Sequence, residues 1–230
     1  MEEIIFFCLR LSIRVFAPLS ERILYMNFII NASVLIFAAA IAIYLHKGKK
    51  AKTDTRRDFL EREREANSTR RKSLDDLDYI RLSIEEFPMD LLDDVPKVED
   101  YKQIIQTLSE RPIVNFTGIN NTELKLRYGA PNIDLLTEYD QNYTVLVRTL
   151  QQWGQALYDA GYVDEACHML EFAISTGTDV SATYRLLCRI YTEQNTAEKI
   201  NDLYPVAEML NSAMRNTIFR ILQEACQSGD

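Results

Sequence analysis

The chain is poor in the residues that carry out chemistry. Its 230 residues include two histidines, His46 and His168, and four cysteines, Cys8, Cys167, Cys188 and Cys226, none of them in a CxxC pair. No zinc-ligand spacing, Walker-type phosphate loop, dinucleotide fingerprint or nucleophile elbow is present. A catalytic constellation cannot be assembled from what remains, so the expectation is a non-enzyme without metal or cofactor. Dispersed cysteines in apolar or helical surroundings read as buried thiols, which excludes a disulfide framework and agrees with a reducing compartment. The sequons at Asn115, Asn120 and Asn142 are chance matches in that setting.

Excess positive charge is missing from all but one stretch. The whole chain carries −8, whereas residues 47–72 hold 11 basic against 5 acidic residues, a net +6 that leaves −14 for everything else. Nucleic-acid binding fits this distribution poorly, because the acidic part is the larger one. A basic stretch beside a bilayer is instead attracted to anionic head groups, by about 1 kcal/mol per residue near the surface. Lys47, Lys49, Lys50 and Lys52 are the residues placed for that contact. For most of the stretch, which includes FLEREREANSTRRK, the mixed charges read as a solvated helical linker.

Charge of either sign is lacking from Ile23 to Leu45. At about 1.5 Å per residue a helix of this length crosses a hydrocarbon core of about 30 Å, so the run reads as a transmembrane helix. Residues such as Phe28, Ile29, Val34, Leu35 and Phe37 each favour insertion by about 0.3–0.6 kcal/mol, which together outweighs Asn27, Asn31 and Ser33. The run is too long for the apolar core of a signal peptide, and basic residues follow rather than precede it. The larger Lys/Arg cluster lies downstream, so residues 46–230 are expected on the cytoplasmic side. Residues 1–22 form an extension in which Ile4–Phe16 is apolar around Arg10 and Arg14, suited to a membrane surface. Met26 offers an alternative translation start, since MNFIINASVLIFAAAIAIYLHKGKK is by itself a complete anchor.

Beyond the basic linker, residues 73–100 reverse the balance, with 10 acidic residues against Arg81 and Lys97. Alternation at Ile80, Leu82 and Ile84, followed by Pro88 and Pro96, predicts an irregular and partly extended connection. Tyr101, Ile104, Ile105 and Leu108 then fall at helical spacing. The stretch NFTGINNTELKLRYGAPN, residues 115–132, brackets a short helical run, and its Asn and Gly residues read as caps and turns. It is also where a loop-borne binding function would sit. Asn132 is placed to cap a helix whose apolar positions run from Ile133 through Tyr143, Leu150 and Trp153 to Leu157.

From residue 150 the intervals become regular. Gly154, Leu157, Gly161, Ala166, Leu170 and Ala173 put small residues where two helices approach, large ones beside them, and a glycine where the first helix ends. A shift of 34 residues takes Leu150 to Tyr184, Trp153 to Leu187, Gly154 to Cys188, Leu157 to Tyr191, Leu170 to Tyr204 and Ala173 to Ala207. Two positions depart: Gly161 becomes Asn195, which tolerates the same turn, and Ala166 becomes Ile200, which should hold the second pair of helices further apart. A further shift reaches Ile218, Ile221, Leu222 and Ala225 in a final helix suited to capping an array.

These intervals over residues 147–228 resemble the tetratricopeptide repeat, and the whole chain resembles bacterial membrane-anchored tetratricopeptide proteins without an assigned biochemical role. The segments above and the resemblance together give an expected mainly α fold: one N-terminal transmembrane helix (23–45), a basic juxtamembrane helical linker (46–72), an acidic irregular and short helical segment (73–131) and a tetratricopeptide-like helical-hairpin repeat domain with a C-terminal capping helix (132–230). It further implies a groove lined by Arg148, Gln151, Gln155 and Tyr158, then by Ala182, Arg185, Arg189 and Thr192, where guanidinium groups pair with carboxylates of an extended peptide. Gln151 and Gln155 stand where the carboxylate clamp of chaperone-binding members of the family has Lys and Asn, so a chaperone tail is not the expected ligand. The functional expectation is a membrane-anchored scaffold or adaptor for a protein partner. The alternative is an accessory subunit of a secretion or envelope-assembly complex, associating through Phe28, Asn31 and Phe37 of its transmembrane helix.

Overall fold

The computed structural model describes residues 19–228; the side chains of residues 19–25, 27, 29, 42–55 and 228 lie outside that description. The expectations placed on residues 1–18, and on the side chains of Lys47, Lys49, Lys50 and Lys52, therefore fall outside the described residues. The described chain is helical, with no strand beyond an isolated bridge between Tyr79 and Val114. Two compact units divide it, residues 1–62 and residues 63–230.

In the first unit helix α1, Leu19–Ser68, runs through the apolar stretch without a break. Its described apolar side chains are unpartnered: Phe28, Leu35, Ile36 and Phe37 are each about 70% exposed. Ser33, one of the polar residues among them, returns its hydroxyl to the Ile30 carbonyl (2.8 Å), so the helix satisfies it internally. Among the described residues no helix is long and apolar enough to cross a membrane.

The second unit opens with the last turn of α1, where Ala66 is buried and Glu63 is held by Lys125 (2.7 Å) and Thr122 (2.6 Å). The Lys125 ammonium, more than any other neighbour, holds the Glu63 carboxyl below its usual range. Residues 69–95 are mostly irregular, with a single 3-10 turn at Ile84–Glu86. Helix α2 follows, Pro96–Ser109, with Pro96 at its first position, where the missing N–H costs nothing. Then come α3, Asn121–Tyr128, and α4, Ile133–Asp159. Asn120 caps α3 by accepting the Glu123 amide at 2.9 Å. Asn132 does not cap α4: its side-chain amide donates instead to the Lys72 and Tyr128 carbonyls at 2.9 and 2.8 Å, tying the connecting segments together.

The remaining helices recur at a fixed interval. Helix α5 is Val163–Ser175 and α6 is Ser181–Glu193. Next, a 3-10 turn at Ala197–Asp202 continues into α7, Leu203–Met209, and α8 is Arg215–Ser228. Val163 and Ala197, Ser175 and Met209, Asp159 and Glu193, and Ser181 and Arg215 each lie 34 residues apart. Neighbouring helices pack in order, α4 on α5, α5 on α6, and α6 on α8, with α4 also touching α6.

The same turn chemistry closes both first helices. After α4 the amides of Gly161 and Tyr162 bond to the carbonyls of Tyr158 (3.0 Å) and Leu157 (2.9 Å). After α6 those of Asn195 and Thr196 bond to Thr192 (3.2 Å) and Tyr191 (2.8 Å). Gly161 and Asn195 both have positive φ, +89° and +55°, the left-handed conformation this double-bonded ending requires. Pro205 explains why the second α5-like helix is broken. It has no N–H for the Asn201 carbonyl and its ring crowds that group, so the chain winds as 3-10 up to Asp202 and as α only from Leu203.

Burial follows the interval. Leu150, Trp153, Gly154, Leu157, Leu170 and Ala173 are buried, as are Tyr184, Leu187, Cys188, Tyr191 and Ala207; Tyr204 alone of the matched set is half-buried. On α8, Ile218, Ile221 and Leu222 face inward while Asn216, Arg220, Gln223 and Gln227 are exposed, the polar outer face that a terminal helix needs. The helices of the first pair meet closely at Gly154, where a Cβ would come within 3.0–3.1 Å of Leu170.

An aromatic plug from the irregular segment completes this core. Phe87, 6% exposed, stacks on Trp153 of α4 (6.3 Å between centroids) and meets Phe172 of α5 edge-on (5.4 Å).

Candidate functional site

Among the described residues no group of three or more His, Cys, Asp or Glu stands placed to hold a metal ion. The described residues form several concavities. One, of about 390 Å³, lies between α6 and α8 and is walled by Arg185, Arg189 and Thr192 on one side and by Ile221, Glu224 and Ala225 on the other. Three of the eight positions expected to form a groove thus come together in it. Their helix explains why: Leu186, Leu187 and Ile190 point into the core, which turns Arg185 and Arg189, one turn apart, to the opposite face.

The charges in this cleft are not neutralised as spacing alone would suggest. Glu193 follows Arg189 by four residues, the interval at which an ion pair normally forms on a helix. Its two carboxylate oxygens instead accept the Tyr158 hydroxyl of α4, each at 2.8 Å. That carboxylate raises the Tyr158 pKa above its usual range, and the nearby Arg189 guanidinium opposes the rise. Among the described residues neither Arg185 nor Arg189 is in an ion pair. Two exposed guanidinium groups one turn apart present a fork of donors to an incoming anion, in a cleft that the Glu193 and Glu224 carboxylates also line.

The rest of the predicted groove divides. Tyr158 joins the cleft through Glu193. Gln155 turns back along its own helix to Asp159 (2.8 Å). Arg148 is exposed on α4 and Gln151 is half-buried, and neither lines the cleft. The α8 wall was not anticipated, although the apolar spacing of Ile218, Ile221 and Ala225 already placed that helix against α6.

The segment 115–132 is built as structure. The side-chain amide of Asn115 donates to the Tyr143 hydroxyl (2.9 Å) and to the Thr176 and Gly177 carbonyls (3.0 and 3.1 Å). Asn142, 6% exposed, donates to the Pro112 carbonyl at 2.9 Å. Two of the three sequon nitrogens are therefore committed inside the fold. Compared with family models, with curated proteins and with solved structures, the chain matches none.

Proposed function

We propose that the chain is a non-catalytic adaptor of tetratricopeptide type, tethered to a membrane by residues 23–45, whose cytoplasmic helical array recruits a protein partner through the cleft between α6 and α8. The observation that carries this reading is the pair Arg185 and Arg189, exposed and without ion-pair partners among the described residues, while Tyr158 holds the neighbouring Glu193. A peptide carboxylate is the complementary group, and the apolar Ile221 and Ala225 wall receives the aliphatic part beside it. The 34-residue recurrence of helix ends supports the repeat assignment. The uncharged run in α1, with its exposed Phe28, Leu35, Ile36 and Phe37, supports the anchor, and Lys47, Lys49, Lys50 and Lys52 supply the head-group contact.

Affinity purification of the full chain from detergent extract tests the recruitment. A stoichiometric partner is expected, lost from the double variant Arg185→Glu, Arg189→Glu; recovery unaffected by that reversal contradicts the reading. Extraction of the chain by alkaline carbonate, rather than by detergent alone, contradicts the anchor. A second reading draws on the exposed Phe28, Asn31 and Phe37 of α1: an accessory subunit held in a membrane complex by that helix. Replacing residues 23–45 with an unrelated span separates the two, since only the adaptor keeps its partner.

A further inference from the structure

A second concavity, of about 640 Å³, lies away from the arginine cleft, where the C-terminal ends of α5 and α7 meet the extended residues 78–80 and the turn at 115–117. The apolar part of its lining is Ile80, Phe172, Val206, Met209 and Leu210, and polar residues such as Asn115, Thr117 and Asn211 complete it. Met209 is 81% exposed, the largest value for any large apolar side chain described, and an unbranched thioether suits a surface that adapts to a partner.

The one charge lining this trough is negative, and the exposed Arg81 follows the lining Ile80 in sequence. Asp78 lines it, no Lys, Arg or His does, and among the described residues Asp78 is in no ion pair. Asp75, Asp76 and Glu208 are exposed next to it in sequence. The two helices ending there have no basic residue in their last turns, although the Asn115 amide and the Tyr143 hydroxyl already bond carbonyls at the end of α5. Residues 63–230 as a whole hold 28 acidic against 16 basic residues, a net −12. A partly apolar floor beside a carboxylate that is in no ion pair selects apolar surface that brings a cation with it.

We infer that this trough is a second docking site, independent of the arginine cleft, and that its occupant is a segment of a partner protein in which a lysine or arginine is flanked by aliphatic residues. The aliphatic side chains cover Met209, Val206 and Phe172, and the cation pairs with Asp78. Asp78 and the net charge of residues 63–230 disfavour an acidic segment, and the same field speeds the encounter of a basic one.

An array of short synthetic peptides, probed with the labelled full chain in nanodiscs of neutral lipid, tests this. The retained peptides should carry Lys or Arg between aliphatic residues. Retention should be abolished by Met209→Glu, weakened about three- to fivefold by Asp78→Asn, and unchanged by the pair Arg185→Glu, Arg189→Glu. Both trough positions are exposed, so the variants keep the fold, which the fluorescence of Trp153 checks. An array that retains nothing, that retains acidic peptides, or that is indifferent to both trough substitutions overturns the inference. Loss on reversing the arginines, with the trough variants silent, assigns the peptides to the other cleft and also overturns it.

Discussion

Adding one methyl group at Gly154 tests the closest contact in the fold. An alanine Cβ there would sit 3.0 and 3.1 Å from the Cδ2 and Cγ atoms of Leu170. Such crowding of a packed core costs about 1–3 kcal/mol. Replacing glycine inside a helix returns about 1 kcal/mol. Gly154→Ala alone should therefore be near neutral to about 2 kcal/mol destabilising. Leu170→Ala empties a fully buried site and should cost about 2–5 kcal/mol. With Leu170 truncated the added methyl meets no obstacle, so in that background Gly154→Ala should stabilise by about 1 kcal/mol. The double-mutant cycle is then non-additive by about 1–3 kcal/mol in favour of the double variant. The assay is a urea titration of the full chain in neutral micelles, followed by the fluorescence of Trp153. That residue is the only tryptophan in the chain, fully buried and adjacent to the site. Additivity within about 0.5 kcal/mol would show that α4 and α5 do not touch at this point and would refute the hairpin packing.

Other outcomes follow from the same contacts. Tyr158→Phe releases Glu193 to pair with Arg189 and should weaken partner recovery several-fold, while adding Glu193→Gln restores it; unchanged recovery in the single variant counts against the proposed role of the tyrosine. Gly118→Ala puts a Cβ 1.8 Å from the Asn211 carbonyl oxygen at φ +81°, so it should destabilise the loop and expose it to limited proteolysis, whereas Thr117→Ala should not. Burial pushes the Cys167 and Cys188 thiols from 9.0 up to about 12 and the Tyr143 hydroxyl from 10.0 to about 12. All three are raised in the fold, so the stability they contribute is intact below about pH 9 and is lost as pH climbs towards about 12. Circular dichroism should be flat up to that first value and decline above it, and a decline that begins near neutrality contradicts the assignment. The same burial leaves Cys167 and Cys188 unlabelled by iodoacetamide until urea is added, while the partly exposed Cys226 labels in the native chain.

The helical half of the molecule was legible because its period is written in residue sizes. Gly154 against Leu170, and Gly161 matched by Asn195, are local requirements of close approach and of left-handed turns, and both can be read along the chain. Ile200 in place of Ala166 marked the second pair as irregular, but the break itself belongs to Pro205, four residues after the carbonyl it crowds. Non-local contacts stayed hidden. Phe87 stands alone between acidic residues, and nothing near it in sequence indicates that it stacks on Trp153, 66 positions away. The Asn-rich segment reads along the chain first as caps and turns and second as a binding loop. Only the carbonyls of Thr176 and Gly177, brought in by the end of α5, decide that Asn115 is a brace. For the cleft, the resemblance to the tetratricopeptide repeat pointed to Arg185 and Arg189, but not to Tyr158 drawing Glu193 away from them.

The most direct test of the account is site-specific photo-crosslinking in the cell, with a photoreactive residue placed at Thr192 inside the cleft of the full chain and, as a control, at Gln223 on the exposed face of α8. The account predicts one discrete adduct from Thr192, absent from Gln223 and absent when Arg185 and Arg189 are both glutamate. No adduct at Thr192, or the same adducts from both positions whatever the charge of the arginines, would contradict it.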